Sequence, residues 1–190
     1  MRVQPPKERV KNFNEVALGY NKEEALKEAS RCLHCVNPRC VKGCPVSIMI
    51  PYFIKELKDG NDDKAYEIIT KSSSLPAVCG RVCPQEKQCE SMCIKGFKGD
   101  AISIGSLERY VADEARKNNF KSVKPCKKKK EKIAVIGSGP AGLSCAGELA
   151  KEGYSVTIYE VLHKAGGVLT YGIPEFRLPK DIVENEVNRD

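Results

Sequence analysis

Eight of the ten cysteines in this 190-residue chain fall into two blocks. Cys32, Cys35, Cys40 and Cys44 run C-x2-C-x4-C-x3-C, with Pro45 directly after. Cys79, Cys83, Cys89 and Cys93 form the second block, with Pro84 behind Cys83. Iron–sulfur runs of the C-x2-C-x2-C-x3-C-P type send their fourth cysteine to another cluster. The first block has that form with one longer gap. Three close thiolates can wrap three corners of a cubane, and the fourth corner needs a residue from elsewhere. Zinc is the competing metal, but it favours paired C-x2-C knuckles, and only Cys32 and Cys35 make one. Disulfides are the third reading, and they belong to oxidising compartments. Spacing therefore favours iron–sulfur, and taken alone it assigns all eight cysteines to clusters. Cys126 reads as a free thiol. Cys145 reads as a small buried apolar residue of a helix.

A second motif lies downstream. Gly137, Gly139 and Gly142 spell G-x-G-x-x-G between KIAVIG, read as a short buried strand, and a helix that Gly153 stops. SVTIYE reads as the next strand, so the unit is βαβ. In that context Gly137 allows a tight turn, Gly139 admits a pyrophosphate close to the backbone, and Gly142 lets helix and strand pack. The helix N-terminus offers free N–H groups to phosphate. Glu160 closes the second strand, where an acid accepts hydrogen bonds from ribose hydroxyls. The motif does not separate FAD from NAD. The following segment, with Gly166, Gly167, Gly172, Pro174 and Arg177, points to FAD.

These residues need scaffolds. Asn21 and Glu24 have capping-box spacing ahead of EEALKEAS. Pro51 suits the start of a helix that Gly60 ends. Asp62 and Asp63 open a third helix through Tyr66, Ile68 and Ile69. Ser106 to Lys117 reads as a fourth helix, with Ile104, Leu107, Val111 and Ala115 on one face. Residues 1–20 read as an irregular lead-in, and no strand is expected before residue 120. The expected domains are a helical iron–sulfur domain over 1–120, a Lys-rich linker over 121–131 and the first portion of an FAD-binding domain over 132–190. The linker holds Lys121, Lys124 and Lys127 to Lys130.

Lysine and arginine total 32 against 25 acids, a net charge of +7. The excess reads as a solvated linker; the absence of Trp and of basic–aromatic interleaving argues against nucleic acid. No apolar run is long enough to span a membrane. MRVQPPKERVKNF has no apolar signal core, so the expected location is the cytoplasm.

The order of the cysteine blocks, SIGSLERY, IGSGPAGLSCA and GGVLTYGIPEFRLPK resembles the N-terminal part of the NADPH-dependent glutamate synthase small (beta) subunit family. The NADPH-binding subunit of ferredoxin:NADP bifurcating oxidoreductases and the N-terminal half of dihydropyrimidine dehydrogenase share the arrangement. The resemblance implies an α-helical domain with two [4Fe–4S] clusters, then the start of an α/β Rossmann-like FAD domain, truncated here. It implies that Cys32, Cys35, Cys40 and Cys93 hold one cluster. Cys44, Cys83, Cys89 and Glu108 hold the other, which leaves Cys79 without a cluster. It carries FAD contacts to Gly137, Gly139, Pro140, Ala141, Gly142, Glu160, Gly167, Val168 and Arg177. NADPH binding belongs to the longer family members. The implied role is an electron-transfer module of an NAD(P)H-dependent oxidoreductase that serves a larger catalytic subunit or another acceptor. No side chain is expected to act as a catalytic acid, base or nucleophile. The alternative role is a zinc-stabilised or non-redox fragment that docks to a larger subunit.

Overall fold

The computed structural model describes residues 1–121 and 126–189. The chain begins with β1 (Arg2–Val3), α1 (Pro6–Arg9) and β2 (Ala17–Gly19), and β1 pairs antiparallel with β2. The expectation of an irregular, strand-free lead-in is therefore corrected. The pairing is only two residues deep on one side and depends on contacts distant in sequence, such as Val16 N–H to Phe176 O at 2.9 Å.

The helical part follows. In α2 (Lys22–Ser30) the Asn21 side chain accepts from the Glu24 amide and the Glu24 carboxylate accepts from the Asn21 amide, a complete capping box. After α3 (Arg39–Lys42) comes α4 (Ile50–Lys58), which carries Pro51 in its first turn and stops before Gly60, at φ +81°. The first turn of α5 (Asp62–Thr70) carries Asp62 and Asp63 against the positive end of its dipole. α1, α3 and α6 (Pro76–Val82) have no counterpart among the expected helices, and α7 (Ile104–Asn118) starts two residues ahead of Ser106. Short 3-10 turns at Gln85–Lys87 and Ile94–Phe97 separate the cysteines of the second block.

One core gathers α2, α4, α5 and α7 around Phe53, Ile54, Leu57, Ile69, Leu107 and Val111. Each such buried side chain contributes roughly 2 kcal/mol of transfer free energy. The predicted face of α7 holds, because Ile104, Leu107, Val111 and Ala115 are all buried.

The nucleotide part has β3 (Lys132–Ile136), α8 (Pro140–Lys151) and β4 (Ser155–Tyr159). β3 and β4 pair in parallel from Lys132↔Ser155 to Ile136↔Tyr159. This is the βαβ unit read from the sequence. The strand is not buried, however. Both strands alternate exposed and half-buried residues, and Ile136 is 82 % exposed. In the described residues this sheet has only these two strands, so one face lacks a packing layer. Cys145 is likewise exposed rather than buried. Only Leu143 and Ala146 of α8 turn inward, and Cys145 lies off that stripe.

α9 (Val168–Tyr171) and α10 (Lys180–Val187) complete the chain. A second core joins Leu75, Val78 and Ala112 of the helical part to Leu143, Leu169, Leu178, Ile182 and Val183. The two parts thus share buried surface. Of the basic stretch between them, residues 122–125, including Lys124, lie outside the described residues. Its far end is pinned beside α8 by Cys126 N–H to Lys151 O and Lys129 N–H to Gly153 O. Among the described residues no helix is long and apolar enough to cross a membrane.

Candidate metal centres and nucleotide turn

Cys32 follows the last turn of α2, Cys35 sits in the next loop and Cys40 lies within α3. Cys93 comes from the second block, just ahead of the Ile94–Phe97 turn. All four line one pocket, walled by Ile50, Ile54, Ile102 and Ile104. Burial pushes Cys32 up and Cys40 up to about 11, with neighbouring thiols adding to the effect. A thiol in such a wall ionises only with a compensating cation, which a bound metal supplies.

The other donors collect elsewhere. Cys44 follows α3, Cys83 caps α6, and Cys89 is buried beyond the Gln85–Lys87 turn. Glu108 projects from the first half of α7. Burial raises Cys89 to about 12, helped by the charges of Glu90, Glu108 and Cys44. Burial also raises Glu108 to about 8, with the Cys83 thiolate and Glu186 adding to it. Its Oε1 is buried and has no hydrogen-bond partner. An orphaned buried carboxylate oxygen is costly unless something binds it, and a metal would.

Cys79 shares this neighbourhood. It hydrogen-bonds Cys83, which lowers the Cys83 thiol to about 7 and raises Cys79. The Ser73 hydroxyl donates to its sulfur at 4.0 Å. The second group therefore contains five candidate donors. Among the described residues no three Cys, His, Asp or Glu side chains close to single-ion spacing.

Close approach of α6 and α7 assembles the second group. A Cβ on Gly80 would stand 2.6 Å from the Arg109 backbone nitrogen. Beside that contact lies a buried charge network that sequence reasoning missed. Arg81 binds both oxygens of Asp113 at 2.9 Å and Glu15 at 2.9 Å, and Arg109 reaches Glu15 at 3.0 Å. No local pattern signals it, because its members come from the lead-in, α6 and α7.

At the glycine turn, Gly137 takes φ +90°. A Cβ at Gly142 would lie 1.9 Å from the Gly137 carbonyl oxygen, while the space beside Gly139 is open. Pro140 and Ala141 start α8, so their end of the helix faces that space. Glu160 is held inside the loop. Its Oε1 accepts from the Leu162 amide at 2.8 Å, and its Oε2 from the Ser138 amide at 2.9 Å and from the Ser138 hydroxyl. These donors, led by the Leu162 amide, hold it down at about 2. Three of the roughly four lone-pair positions of a carboxylate are thus taken, leaving one for a ligand. Ser138 also binds the Gly166 amide at 3.1 Å, which draws Gly167 and Val168 onto the turn. The sequence reading missed Ser138, the variable position of the motif.

Arg177 stands apart from this turn. It lines a cavity of about 890 Å³ together with Cys83, Arg81, Arg109 and Phe176, to which no residue of the glycine turn contributes. His34 contacts the Pro51 carbonyl oxygen at 3.2 Å, and exposed His163 contacts the Tyr171 hydroxyl at 3.1 Å; neither joins a metal group.

Comparison with known proteins follows this division. The NAD(P)-binding Rossmann-like domain profile matches residues 135–180. The glutamate synthase [NADPH] small chain of Halomonas elongata is 40% identical over 181 residues, covering 95% of this chain and 38% of that protein. The Azospirillum brasilense glutamate synthase [NADPH] small chain is 40% identical over 187 residues, 96% of this chain and 38% of that one. The Escherichia coli K12 NAD-dependent dihydropyrimidine dehydrogenase subunit PreT is 42% identical over 165 residues, 87% of this chain and 40% of that one. The chain spans about two fifths of the length of these curated relatives. These relatives are oxidoreductase subunits, and the two matching profiles make this chain an iron–sulfur and nucleotide-binding module. Residues 9–120, which supply every candidate metal ligand, match the profile of dihydropyrimidine dehydrogenase domain II, 4Fe-4S cluster, and the chain belongs to that family.

Proposed function

We propose that this chain is the electron-transfer module of an FAD and iron–sulfur NAD(P)H-dependent oxidoreductase of the glutamate synthase small-subunit type. It would pass electrons between flavin and a partner subunit through two [4Fe–4S] clusters. The observation that carries this reading is the sorting of the cysteines. Cys93 leaves its own block to line the pocket of Cys32, Cys35 and Cys40. Cys44 and Glu108 lie within electrostatic reach of Cys89, and Glu108 within reach of Cys83. This supports the crossed ligand pattern that the resemblance implies, with Glu108 as the proposed eighth donor and Cys79 beside it unassigned.

When bound, FAD exchanges an electron pair with NAD(P)H and the clusters carry electrons singly. The chain's own residues bind and orient. Gly137, Gly139, Pro140, Ala141 and Gly142 offer open backbone at the start of α8. Glu160, fixed through Ser138, keeps one acceptor position for a ribose hydroxyl. Gly167 and Val168 close the loop over the turn. Arg177 would offset phosphate or flavin charge, and its cavity also reaches Cys83. On this reading residues 1–120 are the iron–sulfur domain, 121–131 the connection and 132–190 a portion of the FAD domain. The partner is a larger subunit or another acceptor, and the compartment is the cytoplasm.

Anaerobic reconstitution tests the proposal. It expects about eight iron and about eight sulfide per chain, with a broad band near 400 nm. About two zinc per chain with no such band would overturn it and favour the zinc-stabilised docking fragment.

A further inference from the structure

We propose that Glu186 and Arg189 are a positioning pair for the second metal group, acting through α6. This rests on the reading that Cys44, Cys83, Cys89 and Glu108 hold a cluster. Neither residue belongs to the glycine turn or to the donor sets. Arg189 Nη1 donates to the Tyr66 hydroxyl at 2.8 Å and to Glu186 Oε1 at 3.0 Å. Its Nη2 donates to the Ser74 carbonyl oxygen at 2.7 Å. The guanidinium also lies 5.8 Å from the centre of the Tyr66 ring. Ser74 in turn donates its hydroxyl to Glu148 of α8 at 2.8 Å. One side chain at the end of α10 therefore ties α5, the turn into α6 and, through Ser74, α8.

What this clamp holds is the helix that carries Cys79 and ends on Cys83. α6 has only seven residues, so a displacement of its first turn reaches Cys83 almost undamped. Glu186 is buried beside the Ala77 amide of that first turn, its Oε2 without a hydrogen-bond partner, with Arg81 and Asp113 nearby, and it lies within electrostatic reach of Glu108. Its side chain is 4 % exposed and Arg189's is 18 %. Stability alone does not explain a pair this deep. Desolvating two charges offsets most of their attraction, and apolar residues would join α10 to α6 as firmly. Ile182 and Val183 already do so. What an ion pair with a forked donor adds is direction, because the guanidinium donates to three acceptors at once. The nucleotide part thereby sets where α6, and so Cys83, stands against Glu108.

The test uses Arg189→Lys in the full chain, which keeps the charge and loses the fork. In the metal-free form, labelling of Cys79 and Cys83 by Ellman's reagent should accelerate about tenfold, as expected for lost hydrogen bonds to a charged group. Labelling of Cys32, Cys35, Cys40 and Cys93 should not change. In the reconstituted form one of the two reduced-cluster EPR signals should shift and the other stay. Tyr66→Phe removes one contact of the clamp and should give a smaller change of the same kind, which keeps the test alive if Arg189→Lys does not fold. Equal acceleration of both cysteine groups, no acceleration, or selective labelling with both EPR signals unmoved would overturn the proposal. Iron analysis of the unaltered chain is a separate arm. About four iron in place of eight refutes the two-cluster reading, and the labelling still decides the role of the clamp.

Discussion

Glu108 and Cys83 lie within electrostatic reach of each other where α7 packs on α6, the carboxylate buried with Oε1 unpartnered and the thiol at the C-terminal cap of its helix. Their helices can come this close because Gly80 presents no Cβ to Arg109.

The proposed ligand set assigns different roles to Glu108 and Cys79. Glu108→Ala is expected to alter or abolish one cluster's EPR signal. Cys79→Ser should leave both signals in place. Spectra of the two reconstituted variants decide the matter, and the reverse pattern makes Cys79 the eighth ligand. Glu108→Gln should keep the cluster and raise its potential, since cluster charge is one determinant of potential.

Asp113→Asn leaves Arg81 and Arg109 short of charge inside the fold. Arg81 is 3 % exposed and Asp113 20 %. Removing one partner of a buried pair costs about 3 to 5 kcal/mol, and the partial exposure of Asp113 places this near about 3 kcal/mol. Urea unfolding of the metal-free chain should show the loss as a lower midpoint at unchanged slope.

Glu160 gives a pH signature. Its folded-state value is depressed to about 2 from the usual 4.5, so its ionised form is favoured by folding. The stabilisation is present above about pH 4.5 and is lost as pH falls toward about 2. Ser138→Ala removes the hydroxyl donor. The Glu160 titration followed by NMR should move upward, and acid unfolding should begin at higher pH.

Cys145→Ser is expected to change stability by less than about 0.5 kcal/mol, because the thiol faces solvent. A buried small-residue position would lose more. Thermal melts check this, and the native chain should label rapidly at Cys145 and Cys126, both exposed.

Much of this protein is legible in sequence because the physics is local. The Asn21–Glu24 box spans one helical turn. Gly137 and Gly142 answer steric demands set within six residues, and the two parallel strands announce themselves by composition. Resemblance of the motifs supplied the crossed ligand set that spacing alone does not contain. Tertiary structure decided the rest. Whether Cys93 sits with Cys89 or with Cys32 depends on how α2, α3 and α4 pack, and no spacing encodes that. The ion pair of Arg81 with Glu15 and the hydrogen bonds of Arg189 to Tyr66 and Ser74 join segments that only folding brings together. The exposure of β3 and of Cys145 was misread for the same reason, since periodicity tells which residues share a face and not what covers it. Ser138 occupies a position the glycine motif leaves open, and only the closed loop reveals that its hydroxyl joins Glu160 to Gly166.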